Sequence, residues 1–299
     1  MLRLVAAALA LSISGCAVAE PLDFDQYVAS IKPVKPVARV TYGSAASQHA
    51  DLYLPTSKGP HPVVVLIHGG CWQANVPDEA MGLSQNAADL SAHGVAVWNV
   101  EYRRIGEPGG GYPGMYEDVA ASIDKLRDVA DQYKLDLRRV IVVGHSAGGH
   151  LALWAAARSK LPASSPFYRA NALPVRGAVS LAGVGNLKYH ANLLATVCPD
   201  IKIDQVVGPL GAARPDPFAD TSPRKMLPLG VPTISITGDY DQEVPPYVGY
   251  LWRRVALKAG DSATDIVLPD AGHFDVVSVT APSWILVRKQ VLTMMAATK

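Results

Sequence analysis

Val63 to Ile67 is an unbroken apolar run, mostly β-branched. That is the pattern of a strand buried on both faces. Val95–Tyr102, Val140–Val143, Gly177–Ala182, Thr233–Thr237 and Asp265–Leu268 share this character, and Arg39–Tyr42 and Ala50–Leu54 read as short early strands. Between them lie helical patterns. Met115, Val119, Ile123, Leu126, Ala130 and Tyr133 keep to one face at 3.6-residue spacing. Strands alternating with helices predict a mostly parallel sheet of about eight strands, covered by helices on both faces.

Two regions depart from the alternation. Residues 20–37 are punctuated by proline and read as a linker. Residues 184–229 hold scattered Pro and Gly with no sustained period. A stretch of that length is either a short lid-like insertion or a pair of helices with weak patterning. The expected organisation is therefore a terminal segment over 1–19, the linker, and one domain over 38–299 carrying the insertion.

Composition narrows the class. The chain has 299 residues, with 27 Lys and Arg against 26 Asp and Glu, a net charge of +1. Hydrophobic residues make up 49% and charged residues 18%. There is ample material for a core and too little charge for disorder. No cationic excess exists to neutralise phosphates, so no nucleic-acid partner is expected.

Residues 1–19 read as an export signal. Arg3 precedes the apolar run Leu4–Ile13, which is too short to span a bilayer. Cleavage after Ala19 competes with cleavage before Cys16, since Ile13-Ser14-Gly15-Cys16 resembles a bacterial lipoprotein box. Either way the expected location is outside the cytoplasm, periplasmic or in the cell envelope. A lipid on Cys16 would be the one membrane attachment. Removal or lipidation of Cys16 leaves Cys71 and Cys198, an even number in an oxidising compartment. A Cys71–Cys198 disulfide and two buried free thiols both remain open.

The candidate chemistry begins at Gly144-His145-Ser146-Ala147-Gly148. Strand, GxSxG, then an apolar helical run is the context of a nucleophile elbow, in which a sharp turn lifts the serine hydroxyl clear of the sheet. His68-Gly69-Gly70-Cys71-Trp72 follows the buried strand Val63–Ile67, where glycines let backbone N–H groups face a developing oxyanion. Ala147, directly after the serine, supplies another donor. His273 follows the last strand, at the end of the sheet where such folds place their sites. His145 and His150 flank the serine but read as structural, and the ring of His68 reads as a brace for its loop. Asp239, Asp241 and Glu243 all follow the strand Thr233–Thr237 and compete to orient the base. No zinc-type spacing and no dinucleotide fingerprint is present, so no metal and no cofactor are expected. Trp72, Tyr102, Tyr112 and Phe274 lie near these loops and are candidates for lining a substrate pocket.

Taken together, HGGCW at 68–72, EYRR at 101–104, GHSAGGH at 144–150, GDYDQEVP at 238–245 and AGHF at 271–274 resemble the esterase/kynurenine-formamidase-like branch of the α/β-hydrolases. The resemblance covers roughly residues 38 to 297. It implies an α/β-hydrolase fold and a Ser146–Asp241–His273 triad, the acid being the Asp three residues before Val-Pro. It also implies oxyanion donors at Gly70 and Cys71, beside Ala147. The chain departs from many relatives in carrying Cys at 71 rather than Gly or Tyr, which leaves pocket shape open. The expected activity is acyl-enzyme hydrolysis of a small carboxylic ester, with an aryl-formamidase or amidase as the nearest alternative. A non-catalytic binding protein on the same scaffold is the reading from a different class.

Overall fold

The computed structural model describes residues 20–74, 82–212 and 214–298. The expected export signal, with Cys16, lies outside them. Among the described residues no helix is long and apolar enough to cross a membrane.

Eight strands form one sheet: β1 (Ala38–Thr41), β2 (His49–Tyr53), β3 (His61–Ile67), β4 (Ala96–Val100), β5 (Leu135–His145), β6 (Ala178–Leu181), β7 (Thr233–Gly238) and β8 (Ala263–Leu268). Their order is β1-β2-β4-β3-β5-β6-β7-β8. β2 runs antiparallel to β1 and β4, and every other pair is parallel. The mostly parallel sheet agrees with the strand–helix alternation, and its centre explains the apolar run. Val63, Val64, Val65 and Ile67 of β3 are fully buried between β4 and β5. β5 begins earlier than expected, at Leu135, because Leu135 and Asp136 pair with His61 and Pro62 before a register shift.

Among the described residues, eight helices accompany the sheet: α1 (Phe24–Ser30), α2 (Ser84–Ala92), α3 (Gly114–Tyr133), α4 (Ala147–Ala157), α5 (Ala191–Val197), α6 (Ile203–Val207), α7 (Tyr247–Lys258) and α8 (Pro282–Ala297). The α3 stripe is buried as its spacing predicts, from Met115 through Ala130, and the helix ends on Lys134 in the left-handed conformation. Right-handed crossovers on opposite sides of β3 send α2 to one face and α3, α4 and α7 to the other. α8 returns to the α2 face, where Trp284 Nε1 and Arg288 donate to Asp89 at 2.7 and 2.8 Å.

The linker expectation for 20–37 requires correction. The segment carries α1, capped by Asp23, whose side chain accepts from Gln26 N at 2.8 Å. Tyr27 is buried and stacks on Phe274 with ring centroids 5.3 Å apart, and Leu22 N donates to Asp275 Oδ2. A seven-residue helix is too short for its periodicity to register, and the partners that hold it are about 250 residues away in sequence.

The 184–229 region, between β6 and β7, holds short elements, α5, α6 and a 3₁₀ turn over Pro223–Met226. It is anchored to α4. His150 Nε2 and Trp154 Nε1 donate to the carbonyls of Thr221 and Asp220, both at 2.9 Å.

Candidate active site

The strand ends that carry the motifs converge at one edge of the sheet. β5 ends in His145, and Ser146 follows at φ 53° and ψ −117° before α4 begins. A positive φ at a non-glycine residue costs about 1–3 kcal/mol and persists only where its surroundings enforce it. Here Ser146 N donates to Leu181 O at 2.8 Å, and His150 N donates to Ser146 O at 3.1 Å. Two glycines make the turn feasible. A Cβ on Gly144 would strike the carbonyl of Gly148, and one on Gly148 would strike the carbonyls of Ile67 and His68.

The 68–72 loop packs against this elbow. Gly70, Cys71 and Trp72 are consecutive residues at positive φ, 96°, 50° and 57°. The loop is held from both ends. Gln73 N donates to Gly70 O at 2.8 Å, and Ile105 N donates to Trp72 O at 2.7 Å. Among the described residues nothing accepts the N–H of Gly70 or Cys71. Ala147 opens α4, so its N–H also lacks an intrahelical acceptor. Three backbone donors are thereby left for a ligand.

A buried ion pair braces the loop from beneath. His68 Nε2 lies 3.0 Å from Glu101 Oε1, and its Nδ1 lies 2.9 Å from Gly69 O. Both partners are acceptors, so both ring nitrogens must donate and the imidazole is cationic. Burial works against that charge, but the charge and hydrogen bond of Glu101 outweigh it and raise the His68 pKa. Burial likewise opposes ionisation of Glu101. His68, Arg104 and the Tyr102 amide prevail and hold it down at about 2.

Of the three carboxylates, one is hydrogen-bonded to His273. Asp241 lies against His273, with Oδ2 and Oδ1 at 2.9 and 3.1 Å from Nδ1, and both residues are buried. Val244 N donates to Asp241 Oδ1 at 2.7 Å and fixes the carboxylate. Asp239 instead accepts from Ala271 N and serves the turn. Glu243 stands 3.8 Å from His273 Nδ1, half-exposed. Donor atoms of Asp241, Glu243 and His273 fall within 4.8 Å of one another. The contact with Asp241 suits the His273 tautomer that carries its proton on Nδ1.

His145 Nε2 donates to the His273 carbonyl at 3.0 Å. Burial, with the neighbouring His273 charge, lowers the His145 pKa well below the usual range. It is a neutral strut.

Ser146, His273, Gly70, Cys71 and Ala147 all face one cavity of about 340 Å3. Trp72 and Phe274 line it. Tyr102 does not. It is fully buried, stacked on His68 at 4.6 Å, and donates to His68 O, so it supports the 68–72 loop from behind. Tyr112 is also elsewhere, beneath the Arg214 guanidinium at 4.4 Å.

The rest of the lining comes from segments that no sequence motif assigns to the site. Phe24 of α1, Leu194 and Val197 of α5, and Asp200 all face the cavity. Their spacing along the chain carries no local signal that could have found them. Cys198 is bonded to Cys71, with Cα atoms 5.7 Å apart. That disulfide ties the 184–229 region to the 68–72 loop across 127 residues of chain.

The sheet order, the elbow and the buried carboxylate–imidazole pair define an α/β-hydrolase. More narrowly, the BD-FAE family profile matches residues 50–251, and the chain belongs to that family. It is 32% identical over 114 residues to a probable isoprenylcysteine alpha-carbonyl methylesterase of Arabidopsis thaliana, which covers 38% of this chain and 23% of that protein. It is 37% identical over 114 residues to the kynurenine formamidase of Danio rerio, covering 38% and 36%. The chain thus spans about a quarter to a third of the length of these curated relatives. Among solved structures, an inhibited esterase B from Lactobacillus rhamnosis superposes with a TM-score of 0.73 at 21% identity, over 92% of this chain and 91% of that one. At that identity the match concerns the fold.

Proposed function

We propose that this chain is a serine hydrolase that cleaves a small carboxylic ester through an acyl-enzyme. The observation that carries the reading is the shared cavity, which brings together a serine held at positive φ, a buried His–Asp pair and unpaired amides. Each part has a role in the general Ser-His-acid scheme. Ser146 attacks the carbonyl carbon as His273 takes its proton. Asp241 fixes the His273 tautomer and stabilises the imidazolium. The amides of Gly70, Cys71 and Ala147 receive the oxyanion, each worth about 3 kcal/mol in the transition state. His273 then protonates the leaving alkoxide, and water releases the acyl group by the same steps in reverse order.

The cavity walls favour an uncharged, apolar acyl or aryl group. Phe24, Phe274, Trp72, Leu194 and Val197 supply the apolar surface. Asp200 and Glu243 add carboxylates, which oppose an anionic substrate. Cleavage of an N-formyl arylamine is the second reading, favoured by the identity to the formamidase and compatible with the same machinery.

Work outside the cytoplasm is part of the proposal. It is supported by the Cys71–Cys198 disulfide, since such bonds persist in oxidising compartments. Attachment through a lipid on Cys16 is the corresponding proposal for the N-terminus.

Steady-state hydrolysis of p-nitrophenyl acetate, butyrate and octanoate, beside N-formylaniline, tests the reading. Ester turnover lost in Ser146→Ala is expected. Faster turnover of the formanilide would move the assignment to the second reading. No turnover of any of them by folded protein would favour the binding-protein alternative.

A further inference from the structure

Asp275, two residues after His273, is a buried carboxylate that the Ser146–Asp241–His273 set does not use. A buried carboxylate is costly unless its oxygens are hydrogen-bonded. Here the partners are backbone amides, and both meet one oxygen. Asp275 Oδ2 accepts from Gly272 N at 2.8 Å and from Leu22 N at 3.0 Å. Gly272 directly precedes His273. Leu22 lies just before α1, whose Phe24 lines the catalytic cavity. One atom therefore joins the loop that carries His273 to the segment that leads into α1.

The surrounding contacts close this joint. A Cβ on Gly272 would come within 2.8 Å of Pro21 Cβ, so the N-terminal segment lies directly on the residue before His273. On the other side of His273, the Phe274 ring stacks on Tyr27 at 5.3 Å and meets Phe24 at 5.5 Å. Asp275 is itself fixed, because Ser283 Oγ of α8 donates to its carbonyl at 2.6 Å. His273 has two other holds. His145 Nε2 donates to its carbonyl at 3.0 Å, and Asp241 holds its ring at Nδ1. Both act beyond Gly272, and a glycine is the residue with the widest backbone freedom. The bond to Asp275 restrains that freedom one residue before the imidazole.

We propose that Asp275 is a positioning residue for the hydrolytic reaction, an inference that rests on the serine-hydrolase reading. By holding the Gly272 and Leu22 amides on one oxygen, it sets the backbone from which the His273 ring meets Asp241, and it lays α1 against the catalytic cavity. Loss of that oxygen acts on both sides at once. A loosened His273 slows the chemical step on every substrate, and a displaced α1 weakens the grip on long acyl chains. Because both amides converge on a single oxygen, the carbonyl of an asparagine is enough to accept them, and no negative charge is required.

Asp275→Ala and Asp275→Asn in the full chain, each assayed well below its unfolding midpoint, test this. The first readout is the His273 Nδ1–H resonance in histidine-labelled protein, which reports the bond to Asp241 and needs no turnover. It is expected to shift or broaden in Asp275→Ala and to keep its place in Asp275→Asn. The second is kinetic. Asp275→Ala should lower kcat for p-nitrophenyl acetate by about ten- to a hundredfold, the cost of a misplaced catalytic group. It should also raise KM for the octanoate about threefold, a small loss of pocket contact. Asp275→Asn should stay within about threefold of the wild type on both, since its carbonyl keeps the two amides. Where Asp275→Ala does not fold, Asp275→Glu replaces it with the same expectation, because it keeps the charge and moves the oxygen by one methylene. A folded Asp275→Ala with wild-type kcat and an unmoved Nδ1–H resonance would overturn the proposal and leave Asp275 a merely stabilising residue. Asp275→Asn as impaired as Asp275→Ala would also overturn it, by showing that charge rather than placement matters. A wild-type chain that turns over no ester would instead fail the hydrolase reading, while the resonance comparison still decides whether Asp275 holds His273.

Discussion

The catalytic cavity has two walls of different construction. One is made of strand ends and the turns that follow them: the 68–72 loop after β3, the elbow after β5, Asp241 after β7 and His273 after β8. The other is made of α1 and α5, two seven-residue helices that belong to no strand. The first wall is fixed by the sheet itself, since each residue inherits its place from a ladder of buried hydrogen bonds. The second is held by a few long-range contacts, chiefly the Cys71–Cys198 bond and the Tyr27–Phe274 stack. In the proposed mechanism chemistry resides on the first wall and shape on the second. Substitutions on the two should separate into losses of kcat and changes of substrate preference.

The largest effect is expected on the first wall. Ser146→Ala should lower kcat by about 10⁴–10⁶, because the nucleophile and its base act as one unit. Asp241→Asn should cost about 10³–10⁴ with little change in KM, since an amide at that position favours the wrong His273 tautomer. Rapid-quench or steady-state assays with an activated ester read both. A large rise in KM with kcat preserved would contradict the division between the walls.

The disulfide joins the walls, so removing it probes their connection. Cys71→Ser with Cys198→Ser should lower stability by about 2–5 kcal/mol, because the bond closes a loop of 127 residues. Denaturant unfolding measures this. The same pair should lower kcat by up to about 10²-fold if the bond also aims the Cys71 amide, the range reached when an oxyanion donor is lost. Stability lost with kcat retained would show that the sheet alone positions the loop.

Beneath the oxyanion loop, His68→Gln should cost about 3–5 kcal/mol, the range seen when one partner of a buried ion pair is removed. The pH dependence has a definite sign. The folded His68 pKa is raised, so its contribution is complete below the unfolded imidazole value and is lost as pH rises through the folded one. The Glu101 value is depressed to about 2, so its contribution is complete above the unfolded carboxylate value and lost as pH falls toward 2. Stability of the wild-type protein relative to His68→Gln should therefore be greatest between these limits and decline on the alkaline side. A difference that grows with alkalinity would contradict a cationic His68.

The smallest effect is expected from the second wall. Phe24→Ala should leave kcat for p-nitrophenyl acetate within about twofold and raise KM for the octanoate about fivefold, since it removes about 1 kcal/mol of apolar contact from a long acyl chain alone. Equal effects on both substrates would remove α1 from the acyl site.

The same division separates what is legible in the sequence from what is not. The parallel sheet, the elbow at Ser146, the 68–72 loop and His273 are local patterns, each a strand followed by a turn with a defined chemistry. Asp241 is one of three carboxylates on its loop, and only a family resemblance singles it out in the sequence. Its distance of 2.9 Å from His273 Nδ1, against 3.8 Å for Glu243, supplies the physical reason. Tyr102 lies next to a motif in sequence, yet turns inward to stack on His68. Phe24 lies in a segment with the composition of a linker, and its role depends on Phe274 across the chain. Proximity to a motif is a poor guide to the pocket because the far wall is assembled from residues remote in sequence.

The central claim is that Ser146 is an activated nucleophile facing unpaired amides. The most direct test is labelling with a fluorophosphonate, followed by intact mass, on the wild-type protein and on Ser146→Ala. One phosphonyl adduct per wild-type chain, absent from the variant, is predicted. No adduct on a folded wild-type chain, or an adduct that persists in Ser146→Ala, would contradict the account.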